Sequence, residues 1–500
     1  MSGAVGAPGL RLDRLEDLPA TIRPRVDLTG LRVGIVHLGL GAFHRAHQAV
    51  YTEDAIAEGG GDWGICGVAP RSRGVPDALA RQDGLYTVLT KGPDDHDLRV
   101  VGSLRGWLHA PSQPEQVLAR LADPATHVLS LTVTEKGYRY QPATGQLRTD
   151  DPDLQADLSG AWPPRTILGW IAWGLEARRR ADAGPVTVLC CDNLPDNGPT
   201  LRTLVLQYCA RLPSVLGSPL TAWVATNVTF PATMVDRIVP ASTPTDRAEV
   251  AERLGLVDLA TVVAEPFSQW VIEDDFSAGR PAWEAAGATL TGDVRPYETA
   301  KLRLLNGAHS ALAYLGAAAG YERVSEAVAD AALARMLQRL MDEDVTPTLR
   351  PPADLDLDAY KARVLERFAN PALGHRTTQI AMDGSQKLPQ RLLDTARDRL
   401  AAHAVPHWVC LAVAGWMRYL SGPADNGRPL PVDDPLGDRL RRLAAIEGPA
   451  QRVDALLAVS EVFGTYLPAS PAFRQHVVDH LERLLRKGVV AAVADAVSDR

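Results

Sequence analysis

The run Arg32-Val33-Gly34-Ile35-Val36-His37-Leu38-Gly39-Leu40-Gly41-Ala42-Phe43-His44 decides the fold of the first half of the chain. Its apolar first part reads as a buried strand, its Gly-Leu-Gly as a tight turn, and the residues from Ala42 to Ala57 as a helix. Strand, glycine turn and helix in immediate succession are the setting of a dinucleotide fingerprint. Gly39 would allow the turn. Gly41 would let a pyrophosphate approach the backbone, with Leu40, Ala42, Phe43 and His44 completing the loop around it. His44 occupies the place of the usual third glycine, so the fingerprint is incomplete.

Working outward, a second strand is expected at Trp63 to Ala69. An acid just beyond such a strand ordinarily holds the adenosine ribose. Here the sequence is Pro70-Arg71-Ser72-Arg73-Gly74, and Arg71 and Arg73 suit a ribose 2′-phosphate better than a free diol. Further strands are read at Leu85 to Thr90, Leu98 to Val101, His127 to Glu135 and Val186 to Cys191, with a helix over Thr166 to Ala181 between them. Strands alternating with helices predict a parallel sheet covered on both faces, whose ligands bind beyond the carboxyl ends of the strands. Glu135 and Asn193 fall at such ends. Asn227 to Pro240 and Thr261 to Asp274 look extended. Beyond residue 290 the composition turns to Ala, Leu, Arg and Asp in helical periods, broken by loops at Asp342 to Pro347, Pro351-Pro352 and Gly422 to Pro435. The expected organisation is an α/β Rossmann-type domain over 1–290 and a mostly α-helical domain over 291–500.

The helical part opens with Lys301-Leu302-Arg303-Leu304-Leu305-Asn306-Gly307-Ala308-His309-Ser310. At α-helical spacing Leu305, Ala308, Leu312 and Leu315 lie within roughly 40° of one direction, and Lys301 falls in the middle of that stripe. Burial disfavours the charged form of a lysine, so Lys301 is a candidate general base near neutral pH. Asn306 and His309 follow on the same helix. Asn306-Gly307 is a poor choice for a helix interior on propensity, so another constraint selects it.

The whole chain narrows the classes. A length of 500 residues allows two or more cores, and a formal net charge of -8 points away from a nucleic-acid partner. Five cysteines, an odd number with no CxxC pair, argue for reduced thiols in the cytoplasm; with no HExxH either, no metal site is expected. Met1 to Thr29 lacks the apolar stretch of a signal peptide and reads as a flexible arm or surface strap. No stretch has the unbroken apolar length of a membrane helix.

The motifs taken in order resemble a known family, the polyol-specific long-chain dehydrogenases, which include mannitol 2-dehydrogenase and fructuronate (mannonate) reductase. The resemblance is carried by Val36 to Gln48, Ser130 to Tyr138, Cys191-Asp192-Asn193-Leu194, Met234 to Ile238, Glu265-Pro266-Phe267 and the Lys-x4-Asn-x2-His pattern of Lys301, Asn306 and His309. It spans about residues 33 to 480. It implies an NAD- or NADP-dependent, metal-independent secondary-alcohol dehydrogenase. It further implies Lys301 as general base, Asn193 and Asn306 as the amides holding the reacting oxygen, and His309 as a substrate-positioning residue. Glu135 would be the acid of a proton path, with Asp236 and Glu298 near the substrate or beside the lysine.

The segment His375 to Arg391 is similar to the fructuronate reductases. Mannitol dehydrogenases carry a substrate-contacting arginine at the position of Gln379 and share the lysine at Lys387. Arg376 and Arg391 flank the site here, and an arginine fork suits the carboxylate of a uronate. The expected reaction is interconversion of D-fructuronate and D-mannonate, with mannitol 2-dehydrogenase activity as the alternative and a non-catalytic nucleotide-binding regulator as a remote one. The expected partner is a small sugar acid or polyol, in a monomer or small oligomer.

Overall fold

The computed structural model describes residues 8–141 and 144–499. Two compact units divide the chain between Val294 and Arg295, beside the boundary of 290/291 expected from composition.

Six parallel strands form the sheet of the N-terminal unit: β1 (Val33–Leu38), β2 (Gly64–Ala69), β3 (Leu104–His109), β4 (Val128–Leu131), β5 (Val186–Cys190) and β6 (Val228–Thr229). Their order across the sheet is 3-2-1-4-5-6. This is the doubly wound dinucleotide-binding order, and its direction reverses between β1 and β4. Every residue of β1 and β2 is buried, which accounts for their sequences being apolar apart from His37. Alternation along β1 feeds two cores. Val36 and Leu38 join Leu129, Leu131 and Ile171 on one face, while Ile35 joins Ala46, Ala49 and Trp270 on the other. After β1 come the short helix α1 (Ala42–Ala46) and then α2 (Gln48–Gly59), separated by a break at His47 (φ -126°, ψ -87°). The single helix expected through Ala57 is therefore two. Helix α3 (Ile167–Arg180) starts where Thr166 Oγ1 accepts the Gly169 N–H, and it buries Trp170, Ile171 and Leu175.

Some expected strands differ. β4 stops at Leu131, the last residue paired with both Leu38 and Cys190, and Glu135 opens a 3-10 turn (Glu135–Tyr138) instead of ending the strand. The strands expected at Leu85 to Thr90 and Leu98 to Val101 are Tyr86–Lys91 and His96–Val101, which pair antiparallel in a separate three-stranded sheet with Val262–Ala264. Thr233–Asp236, Gln269–Glu273 and Thr289–Thr291 make another. Of the N-terminal arm, residues 1–7 lie outside the described residues. From Gly9 the chain straps onto the unit: Gly9 bridges Val257, Leu10 is fully buried, and Arg25 pairs with Asp54.

The C-terminal unit is helical. Helix α4 (Ala308–Ala319) follows the π-helical segment Lys301–Gly307, and α5 (Leu357–Ala369) comes later. Helix α6 (His407–Leu420) is buried along nearly its whole length and packs against α4 and α7 (Pro471–Lys487). A helix apolar all round is what such a central position requires. The expected loop over Asp342 to Pro347 is instead a π-helical segment, Leu340–Val345, running into a 3-10 turn. Its polar residues have a structural use. Buried Asp344 accepts the Trp408 and Val409 N–H groups at 2.7 and 2.9 Å, satisfying the start of α6. No helix among the described residues is long and apolar enough to cross a membrane. All five cysteines are free and buried.

Candidate active site

The sheet brings several expected residues to one place. Beyond the carboxyl ends of β1, β4 and β5 lies a cleft of about 530 Å3, lined by Gly41, Ala42, Phe43, Thr134, Glu135, Lys136, Asp192 and Asn193 among others. It sits where the strand order reverses, the crevice in which such sheets bind ligands.

The two fingerprint glycines answer to different constraints. Gly39 has φ +108°, and a Cβ there would lie 1.9 Å from the Thr132 carbonyl oxygen, so the fold itself demands glycine. Gly41 is extended (φ -86°) and exposed, and a Cβ would meet nothing closer than the Gly39 oxygen at 3.8 Å. Packing leaves Gly41 without a reason. Close approach of a ligand backbone-to-phosphate supplies one, so the loop fits a dinucleotide. Leu40 is buried, and its side chain is the atom group nearest a Cβ built on Gly67 of β2. His44, in the third-glycine position, is buried and stacked on His37 with centroids 3.4 Å apart. His37 is held by Ser130 and Thr132 hydroxyls at 2.7 and 2.8 Å. Burial pushes His37 down to about 3 and His44 well below its ordinary value, so both rings are neutral at physiological pH. Arg71 and Arg73 are exposed and form no ion pair among the described residues.

Asn193 is exposed at the cleft, but the turn before it is fixed. Asn197 Nδ2 donates to the Cys190, Asp192 and Thr233 carbonyls at 3.1, 3.1 and 2.9 Å, and Asn197 Oδ1 accepts the Thr233 N–H at 2.8 Å. The turn propensity of Asp-Asn-Leu-Pro-Asp-Asn-Gly therefore has a specific use, with Asn197 as its clasp. Asp236 is buried at the end of Thr233–Asp236.

The C-terminal unit holds the rest. Lys301 is 6% exposed, and Leu305, Ala308, Leu312 and Leu315 are buried with it, as the apolar stripe requires. The geometry is not α-helical, however: Lys301–Gly307 is π-helical, hydrogen-bonded i→i+5. In an α-helix, residues five apart diverge by about 140°. The wider π turn brings Asn306 back toward the side of Lys301. One end of the Asn306 amide and His309 Nε2 are buried with no hydrogen-bond partner among the described residues. Gly307 has its own cause. A Cβ there would lie 2.6 Å from the Arg391 carbonyl oxygen, in a second π-helical segment, Pro389–Leu393, packed against the first. Glu298 is half-buried in the preceding short helix, Arg295–Ala300.

His309 stacks on Phe368 (4.7 Å) and His375 (5.8 Å). Burial, then His375 and the cations Arg391, Arg367 and Lys387, hold it well below its ordinary pKa. Arg391 donates to Ser310 Oγ at 3.1 Å, and Lys387 reaches the Ile380 carbonyl at 3.5 Å. Arg376 is different: it is exposed, just before the short helix Thr377–Ile380. The fork expected from Arg376 and Arg391 is thus not what faces His309. Arg367, absent from the expected set, is there and 7% exposed. The sequence carried its signal, since Tyr360, Val364 and Phe368 form the buried stripe of α5 and Arg367 falls on it. Among the described residues, no group of three or more His, Cys, Asp or Glu is placed to hold a metal ion.

A doubly wound domain with a dinucleotide loop, and a helical unit with a buried lysine, amide and histidine on one helix, define a nicotinamide-dependent oxidoreductase. The mannitol dehydrogenase Rossmann domain matches residues 33–285, the mannitol dehydrogenase C-terminal domain matches residues 293–485, and the chain belongs to the mannitol dehydrogenase family. It is 44% identical to the D-mannonate oxidoreductase of Escherichia coli K12, over 94% of this chain and 97% of that one. Among solved structures it is similar to Pseudomonas fluorescens mannitol 2-dehydrogenase in ternary complex with NAD and D-mannitol. That match has a TM-score of 0.86 and 38% identity, covering 98% of this chain and 100% of the other. It is also similar to a substrate-free D-sorbitol dehydrogenase, with a TM-score of 0.89 and 34% identity over 97% and 100% of the two chains.

Proposed function

We propose that the protein interconverts D-fructuronate and D-mannonate. The observation that carries this reading is the pair of arginines beside His309: Arg391 donates to Ser310, the next residue, and buried Arg367 precedes the Phe368 that stacks on His309. A sugar acid brings a carboxylate that such cations recognise, whereas a polyol brings none. The similarity to D-mannonate oxidoreductase supports it.

A bound nicotinamide would supply the hydride acceptor for the secondary alcohol and the hydride donor for the ketone. Lys301, in its neutral form, takes the hydroxyl proton in oxidation and gives it back in reduction. Asn306 and Asn193 donate to the reacting oxygen as it gains alkoxide character. His309 accepts or donates at a substrate hydroxyl, Glu135 passes protons to solvent, and Asp236 and Glu298 order the polar end of the substrate and the lysine. Both NAD(H) and NADP(H) serve, because Arg71 and Arg73 follow β2 where an acid would reject a 2′-phosphate.

The second reading is mannitol 2-dehydrogenase, favoured by the D-mannitol in the similar Pseudomonas fluorescens structure. Nicotinamide absorbance with fructuronate, fructose, mannonate and mannitol, in NADH and NADPH, separates the two. Preference for fructuronate is expected, and preference for fructose or mannitol would install the second reading. Arg71→Ala or Arg73→Ala should weaken NADPH binding more than NADH binding, and equal losses would remove the cofactor assignment.

A further inference from the structure

Asp192 precedes Asn193, and its side chain turns away to hold a different loop. Asp192 Oδ2 accepts the Val133 N–H at 2.8 Å and the Tyr138 hydroxyl at 2.5 Å, and Oδ1 accepts the Thr134 N–H at 3.1 Å. Three donors converge on the two oxygens, which a carboxylate satisfies and an amide does not. Tyr138, fully buried, also lies 3.1 Å from Cys190 Sγ, so its hydroxyl has little freedom to leave.

The loop that Asp192 holds is under strain. Thr134 has φ +71°, a conformation that a β-branched residue rarely adopts, and its N–H is one of the three donors. Strain of this kind persists where the surroundings impose it, and it clusters at functional sites. Glu135 is the next residue. Thr134, Glu135, Asp192 and Asn193 all line the same cleft.

We infer that Asp192 is a positioning residue: its carboxylate clamps the strained Thr134 turn to the end of β5, and so sets Glu135 and Asn193 together on one wall of the cleft. This rests on the reading of Glu135 and Asn193 as groups that serve the substrate. Burial raises the Asp192 pKa, and the Tyr138, Val133 and Thr134 donors oppose that rise.

The test is a cycle between Asp192 and the two residues it places. Turnover is measured on the full-length enzyme with fructuronate and with mannitol, normalised to active sites counted by NADH fluorescence titration. Asp192→Asn should lower kcat by about ten- to a hundredfold, the cost of misplacing groups by about an ångström, with little change in the NADH dissociation constant. In a Glu135→Gln/Asn193→Ala background the same substitution should cost less than about threefold, because nothing remains for it to place. A purely architectural aspartate would cost as much in both backgrounds, and that result would overturn the proposal. If Asp192→Asn fails to fold, Tyr138→Phe serves, with a smaller loss confined again to the wild-type background. Full activity of the Glu135→Gln/Asn193→Ala enzyme would refute the underlying reading. Impairment of that enzyme together with full activity of Asp192→Asn would refute only the clamp.

Discussion

Lys301 shows how one residue links sequence to chemistry. Its apolar neighbours bury it to 6% exposure, on the stripe where the proposed general base is expected. Lys301→Ala should lower kcat by about a hundred- to ten-thousandfold while cofactor affinity stays close to normal. Stopped-flow turnover and NADH titration check this, and near-normal turnover would end the general-base assignment. Substrate charge is the second matter at this scale. Arg367→Leu and Arg391→Leu should each reduce the ratio of kcat/KM for fructuronate over fructose, by about ten- to a hundredfold if the arginine meets the carboxylate directly. Lysine at the responsible position should restore part of the ratio, keeping charge but losing the planar fork. Arg376→Leu, on an exposed residue, should leave the ratio nearly unchanged.

Among elements, the glycine turn after β1 makes the sharpest prediction. Gly39→Ala places a Cβ 1.9 Å from a carbonyl oxygen at φ +108°, so the unfolding midpoint should fall and dinucleotide binding should be lost with it. Gly41→Ala meets open space, so the midpoint should hold while the dinucleotide dissociation constant rises by about tenfold or more, about 1.4 kcal/mol. Calorimetry with and without NADH distinguishes them, and a destabilised Gly41→Ala would show that packing, and not a ligand, selects that glycine. This turn was readable in the sequence because every local signal agreed: buried strand, two glycines, helix. The helix Thr166 to Ala181 is legible from its period, and the Thr166 cap confirms where it starts. The π-helical segments were not. Burial of Lys301, Leu305 and Leu312 fits an α-helical stripe well enough, while the close approach of the Arg391 carbonyl that requires Gly307 comes from a segment over eighty residues away in sequence. Arg367 is legible only from the buried stripe of α5, and Asp192 is not legible locally because its carboxylate reaches partners that only the sheet brings near.

At the scale of the whole molecule, buried histidines set the response to acid. His37 is held at about 3 against 6.5 when solvated, and His44 and His309 are also held well below 6.5. Between those values the unfolded chain takes up protons that the native one refuses. Each such histidine therefore withdraws up to about 1.4 kcal/mol of stability per pH unit as pH falls below 6.5. Asp344 acts in the opposite sense: held at about 6 by burial, against 3.8 when solvated, it is the native chain that binds the extra proton, so its contribution grows as pH falls from about 6 toward 3.8. His375 is lowered as well, and Asp157 and Asp192 are raised like Asp344; four histidines acting from 6.5 downward outweigh three carboxylates, of which Asp344 acts only from about 6, so urea midpoints should drop between pH 7 and pH 5. Flat midpoints would mean that these rings keep a route to protonation in the folded state. The buried thiols give the same molecule an internal clock. Cys66, Cys190, Cys191 and Cys209 lie in the N-terminal unit and Cys410 in the C-terminal one, all shielded from reagents while folded. A pulse of alkylating agent during unfolding, followed by intact-mass spectrometry, would add four labels when the first unit opens and one when the second does. The order in which two units of a single chain come apart could then be read from its mass alone.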